Sequence, residues 1–189
     1  MKGSRWQVGL LDENNWRRMA KPEIEIADLI KECQARTGKL VTIGTAESAT
    51  GGRIADRLTN VPGSSDYFKG SLVAYSNEVK INILGVRKET IENYGTVSSQ
   101  TAIEMAEDGR RLLDVDICVS NTGIAGPSGG SSEKPVGLFH IGLAAKDDSL
   151  SQKYIFPGNR EENKREAAEA ALSILRQYLA QCISKLKKG

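Results

Sequence analysis

Short β-branched runs, too brief for helices, alternate along this chain with longer segments whose apolar residues recur every three or four positions. A chain that keeps switching between the strand period and the helix period folds as helices layered on a sheet. Ile24, Ile26, Ala27, Leu29, Ile30 and Cys33 make a first helix, closed by Gly38. Leu40-Val41-Thr42-Ile43 opens a first strand over 40–45, and Ile54, Ala55 and Leu58 a second helix over about 51–60, stopped by Asn60-Val61-Pro62-Gly63. Further strands are predicted at 71–75, 116–120, 136–144 and 151–156, with helices near 77–84, 87–93 and 98–113. The last two strands pair through Lys146-Asp147-Asp148. A long final helix then presents Ala168, Leu172, Leu175, Leu179, Cys182 and Leu186 as one apolar stripe. The pattern predicts a single three-layer α/β/α sandwich over 22–189, with a mixed, mostly parallel sheet.

Residues 1–21 stand apart, with Trp6 and Trp16 among polar residues of no clear period. They read as an extension that either docks its indoles on the domain or trails as a tail. The basic and acidic residues nearly cancel, 26 Lys and Arg against 24 Asp and Glu, and they are scattered. Nucleic acid is therefore not an expected partner. Arg17-Arg18 and Lys185, Lys187 and Lys188 read as solvated ends. Cys33, Cys118 and Cys182 are odd in number, far apart and on apolar periodicities, which suits buried thiols in a reducing compartment. With no membrane-length apolar run and no signal-peptide core, the expected location is the cytoplasm. Self-association into a homo-oligomer is expected of a small α/β domain of this kind.

Candidate chemistry gathers where strands give way to helices. Thr45-Ala46-Glu47-Ser48-Ala49-Thr50-Gly51-Gly52 puts a serine at such a turn. Its two glycines let the backbone bend tightly, and the first amides of the following helix read as a site for an anion or oxyanion. Because His140 is the chain's one histidine and lies in a strand run, a serine nucleophile here would take its proton acceptor from elsewhere. Lysine is the natural alternative, since a poorly solvated amine loses affinity for its proton. Ala74-Tyr75-Ser76-Asn77-Glu78-Val79-Lys80 is a source of one at a strand end, although spacing alone makes Lys80 one lysine among many. Strand carboxyl ends converge in open α/β sheets, which would bring Ser48 and the residues after Tyr75 together. Residues 121–132, rich in glycine and hydroxyls, read either as a cradle for phosphate or a planar ring or as a flexible loop. Arg160, opening the last helix, is either a phosphate partner or a solvated helix-start arginine.

Five segments taken in order, Thr45-Ala46-Glu47-Ser48 with Thr50-Gly51-Gly52, Val61-Pro62-Gly63-Ser64-Ser65, Ala74-Tyr75-Ser76-Asn77-Glu78 with Lys80, Thr122-Gly123-Ile124-Ala125-Gly126-Pro127, and Glu133-Lys134-Pro135-Val136-Gly137, resemble the CinA C-terminal domain family over about 24–185. The resemblance implies the three-layer fold and a stand-alone nicotinamide mononucleotide deamidase, an amidohydrolase releasing nicotinate mononucleotide and ammonia. It implies no metal and no organic cofactor. By the same resemblance Ser48 is the nucleophile and Lys80 the general base. Thr50, Gly51, Gly52, Ser65, Tyr75, Thr122, Gly123 and Arg160 are carried over as substrate contacts, Arg160 at the phosphate. Many relatives have a cysteine after the motif serine; Ala49 stands there here, which excludes a thiol at that position. The alternatives are a Ser–Lys amidase for another nucleotide amide, with Tyr75, Tyr67, Phe68 or backbone groups choosing the base, and a catalytically silent nucleotide-binding module.

Overall fold

The computed structural model describes residues 21–186, so the Trp-bearing stretch up to residue 20 and the lysines at 187 and 188 lie outside the described residues. Pro22 begins α1 (Pro22–Thr37), where its missing N–H costs nothing, and Gly38 ends it at φ 72°, donating its N–H to Gln34 O. β1 (Ile43–Glu47) leads into α2 (Arg53–Thr59), and a 3₁₀ turn at Ser64–Asp66 leads into β2 (Phe68–Val73). Next come the one-turn α3 (Asn77–Val79), a π turn (Lys80–Leu84), α4 (Lys88–Tyr94) and α5 (Ser99–Leu112). The Ser98 hydroxyl caps α5 by accepting the Thr101 N–H. β3 (Ile117–Gly123), β4 (Leu138–Ala144), β5 (Ser149–Ile155) and the 27-residue α6 (Arg160–Leu186) complete the order.

The sheet runs β2-β1-β3-β4-β5. β1 is parallel to both neighbours, with Thr45 opposite Ser71 and Val119, whereas β4 is antiparallel to β3 and β5. Four of the five strands therefore point the same way, and β1, β2 and β3 all deliver their carboxyl ends to one edge. The strand period sorts the two faces. Ile43, Ile117, Val119, Ile141 and Leu143 join the core beneath α1, α2 and α6, and Ala46 and Cys118 join the core beneath α5 with Met105 and Leu84. This is the expected α/β/α sandwich.

Three expectations are corrected. The strand foreseen at 71–75 ends at Val73, because β1 offers no register partner beyond Glu47 opposite Val73. The strand foreseen at 116–120 runs on through Asn121, Thr122 and Gly123, which pair with Ile141, His140 and Phe139 rather than opening a loop. The helix foreseen over 77–84 is α-helical for one turn and then widens, with the Lys80 carbonyl accepting from both Gly85 and Val86. Apolar periodicity carries no mark of such a π turn.

Small residues let α5 lie close on its face. Gly109 leaves room for Cys118 Sγ and Ala46, and Gly142 on β4 leaves room for the Ala102 carbonyl and the Ser120 hydroxyl, which are themselves hydrogen bonded at 2.5 Å. A Cβ at Gly142 would fall on both oxygens. Gly142→Ala is expected to cost about 1–3 kcal/mol through this overpacking. Urea unfolding checks it as a lower midpoint with an unchanged slope.

Candidate active site

At the shared carboxyl edge the sheet presents consecutive residues to opposite faces, and β1 ends on that alternation. Glu47 turns toward α2, and Ser48 toward the face of α5 and the π turn. The Lys80 Nζ lies 2.9 Å from Ser48 Oγ, 2.7 Å from the Ala74 carbonyl oxygen and 3.4 Å from that of Tyr75. Lys80 has no exposed surface and Ser48 retains 7%. The two carbonyls are free to face the amine because β2 has already stopped pairing at Val73.

Burial pushes the Lys80 ammonium down to about 8, since the charged form has been taken out of water. No carboxylate forms an ion pair with it among the described residues, so no opposite charge offsets that cost. As a neutral amine Lys80 can donate to Ala74 and Tyr75 and turn its lone pair to the Ser48 hydroxyl. That is the arrangement of a nucleophile with its proton acceptor. His140 is half-buried, outside the cavity lining, and held down at about 4 by burial, so its imidazole is neutral.

A cavity of about 270 Å³ opens over the pair, lined by Ser48, Ala49, Tyr75, Lys80, Thr96, Val97, 122–126, Ser128, Gly129 and Arg160. Thr122 donates its hydroxyl to the Thr96 carbonyl, fixing β3 to the start of α5. Arg160 donates to the Gly126 carbonyl at 2.7 Å and to the Tyr75 hydroxyl at 2.8 Å, spanning the cavity mouth. Behind it Asn159 caps α6, accepting from Glu161 and Glu162. Among the described residues no cluster of three or more His, Cys, Asp or Glu side chains stands ready to hold a metal ion. None of their helices is long and apolar enough to cross a membrane.

The structure thus brings Ser48, Lys80, Tyr75, Thr122, Gly123 and Arg160 to one cavity and leaves Thr50, Gly51, Gly52 and Ser65 outside it. Ser65 is exposed on the 3₁₀ turn. Gly51 and Gly52 bend the chain at φ 65° and 97°, but the amides of Gly52, Ile54 and Ala55 at the α2 start are not open to an anion. Glu47 reaches them first, accepting from Gly52 N at 2.9 Å, Ile54 N at 3.2 Å and Ala55 N at 2.9 Å. Thr50 is wholly buried and donates to the same carboxylate at 2.7 Å. A side chain of the protein therefore fills the nook read from the sequence as an oxyanion site.

Sequence reading missed Thr96, Val97 and the buried amide of Asn163, and it set Asn121 at the head of a loop rather than in a strand. Asn121 donates to Thr50, while Asn163 donates to the Ala125 carbonyl and accepts from Gly158 N, anchoring the loop that follows β3 to α6. A polar residue on the buried side of α6 was the available signal. Cys33 and Cys118 are buried free thiols and Cys182 is half-buried.

The model of the CinA C-terminal domain matches residues 26–179. A CinA-like protein of Endomicrobium trichonymphae is 50% identical over 138 residues, 73% of this chain and 32% of that protein. Another, from a Sulfurihydrogenibium species, is 43% identical over 160 residues, 85% of this chain and 40% of its own length. The chain thus spans about a third to two fifths of these curated relatives. The crystal structure of the competence/damage inducible protein CihA from Agrobacterium tumefaciens superposes with a TM-score of 0.77 at 35% identity, covering 86% of this chain and 97% of that one. A CinA superfamily protein from Enterobacter cloacae gives 0.77 at 26% identity, over 84% of this chain and 90% of its own.

The folded-state amine gives up its proton near pH 8, and the unfolded one keeps it to about 10.5. In that window the unfolded chain holds more protons, so stability rises with pH. Measured against Lys80→Met in urea at a series of pH values, the wild type should gain up to about 3 kcal/mol between pH 8 and 10.5. A flat difference would show that the amine is not desolvated.

Proposed function

Because the chain belongs to the CinA C-terminal domain family, we propose that it is an amidohydrolase that cleaves the carboxamide of nicotinamide mononucleotide to nicotinate mononucleotide and ammonia. The observation that carries this reading is the buried Lys80 amine 2.9 Å from Ser48 Oγ on the floor of an open cavity. Ser48 Oγ attacks the amide carbon as Lys80 takes its proton. The ammonium so formed stands beside the developing oxyanion and stabilises it electrostatically. Collapse breaks the C–N bond, and Lys80 returns the proton to the departing ammonia. Water then attacks the acyl-enzyme with Lys80 as base, releasing nicotinate mononucleotide and restoring the Ser48 hydroxyl.

The donors for the oxyanion are not the amides of Gly52, Ile54 and Ala55, which Glu47 occupies. At the mouth, Arg160 has donors beyond those used on Gly126 and Tyr75 and is the contact assigned to the phosphate. A cytoplasmic setting and self-association belong to the same reading.

Incubation with nicotinamide mononucleotide should release ammonia and nicotinate mononucleotide, and Ser48→Ala or Lys80→Ala should lower turnover by roughly a thousandfold or more while the circular dichroism stays native. Wild-type ammonia release by both variants would overturn the assignment; tight mononucleotide binding without turnover would favour a binding module. The pH profile of kcat/KM should climb tenfold per unit below an apparent pKa of about 8 and level off above it. Arg160→Gln should raise KM about 10-fold to 100-fold with little change in kcat.

A further inference from the structure

We propose that Glu47 is the positioning residue for Ser48, acting through Thr50 and Asn121 rather than by touching substrate. Ser48 follows the last residue of β1, and its backbone is the first bend of the turn that leads to α2. A serine on such a turn has its Oγ aimed by whatever fixes the turn on both sides. On one side that is the sheet. On the other it is the Glu47 carboxylate, whose two oxygens meet the amides of Gly52, Ile54 and Ala55 and the hydroxyl of Thr50. Longer contacts join it to the Thr45 and Ser71 hydroxyls at 3.4 and 3.5 Å.

Thr50 carries the constraint across to β3, accepting from Asn121 Nδ2 at 2.6 Å while its own N–H faces Asn121 Oδ1 at 3.3 Å. Gly51 closes the bend by donating its N–H to the Ser48 carbonyl at 3.1 Å. Glu47, Thr50 and Asn121 have no exposed surface. Water therefore does not replace any of these bonds when one is lost, and an unpartnered polar group in such a place displaces its neighbours. The network lies on the α2 side of the sheet and Lys80 on the other. Changes in it should thus move the Ser48 hydroxyl without changing the burial that sets the proton affinity of Lys80.

This rests on Ser48 as the nucleophile but not on the identity of the amide. The test reads serine reactivity directly, as the rate of covalent labelling by a small fluorophosphonate across pH. Thr50→Val, which keeps the shape and removes the hydroxyl, should label about tenfold more slowly, and Glu47→Gln about 10-fold to 100-fold more slowly. Thr50→Ser should stay within about twofold of wild type. The pH midpoint near 8 should not move in either Thr50 variant. Leu179→Ala, a core change on α6 far along the chain from the network, serves as the control for lost stability and should label at the wild-type rate when folded.

Labelling of Thr50→Val and Glu47→Gln at the wild-type rate would overturn the positioning role and leave the nucleophile in place. So would equal slowing in Leu179→Ala, since the effect would then be one of stability. A wild-type protein whose Ser48 does not label would overturn both the nucleophile and its positioning. Labelling with the expected pattern but no amide hydrolysis would sustain the positioning role and remove only the proposed substrate.

Discussion

Removing a lysine amine from water is the constraint on which the rest of this site depends. An ammonium with no carboxylate beside it is stable inside a protein only where carbonyl or hydroxyl oxygens replace its hydration, and even then its proton is held more weakly. Lys80 finds the Ala74 and Tyr75 carbonyls and the Ser48 hydroxyl. Each is available for a reason rooted in the fold. The carbonyls are free because β2 has run out of partner, and Ser48 is there because β1 ends on the same edge. The π turn that begins at Lys80 gathers both Gly85 and Val86 onto its carbonyl, so the residue is held by its main chain while its side chain points inward.

Alternation along a single strand end divides two tasks between neighbouring residues. Glu47 satisfies the amides at the start of α2, and Ser48, one position later, faces the cavity. A helix start is a ready site for negative charge, and here that charge is internal. The turn is stiffened by the same bonds that close the nook, with Thr50 and Asn121 extending them to the next strand. The cavity itself is left to Lys80 and the other groups that line it, with Arg160 donating to the Tyr75 hydroxyl.

The layers around this edge are specified by packing that composition barely reveals. α5 rides close to the sheet because Gly109, Gly142, Ala46 and Cys118 are small, and its N-terminal side brings Thr96 and Val97 to the cavity wall. On the opposite face α6 covers the larger core, and its first turn carries Arg160 to the mouth while Asn163 grips the Ala125 carbonyl. The two faces therefore contribute different walls of one site.

Periodicity in the sequence was enough for the layers, the order of most elements, the hairpin through residues 146–148 and the placing of a serine at a strand-to-helix turn, because burial on one face leaves its period in the residues themselves. Family resemblance, not spacing, singled out Lys80, since an inward lysine and a solvated one look alike in a string of letters. Folding alone decided that Lys80 is buried against Ser48 from 32 residues away, that Asn121 to Gly123 belong to a strand, and that Glu47 takes the α2 amides before any ligand can. These depend on which backbone groups lose their partners when particular strands end, and on which side chain is within reach of them. Such facts exist only once distant segments share one edge of the sheet.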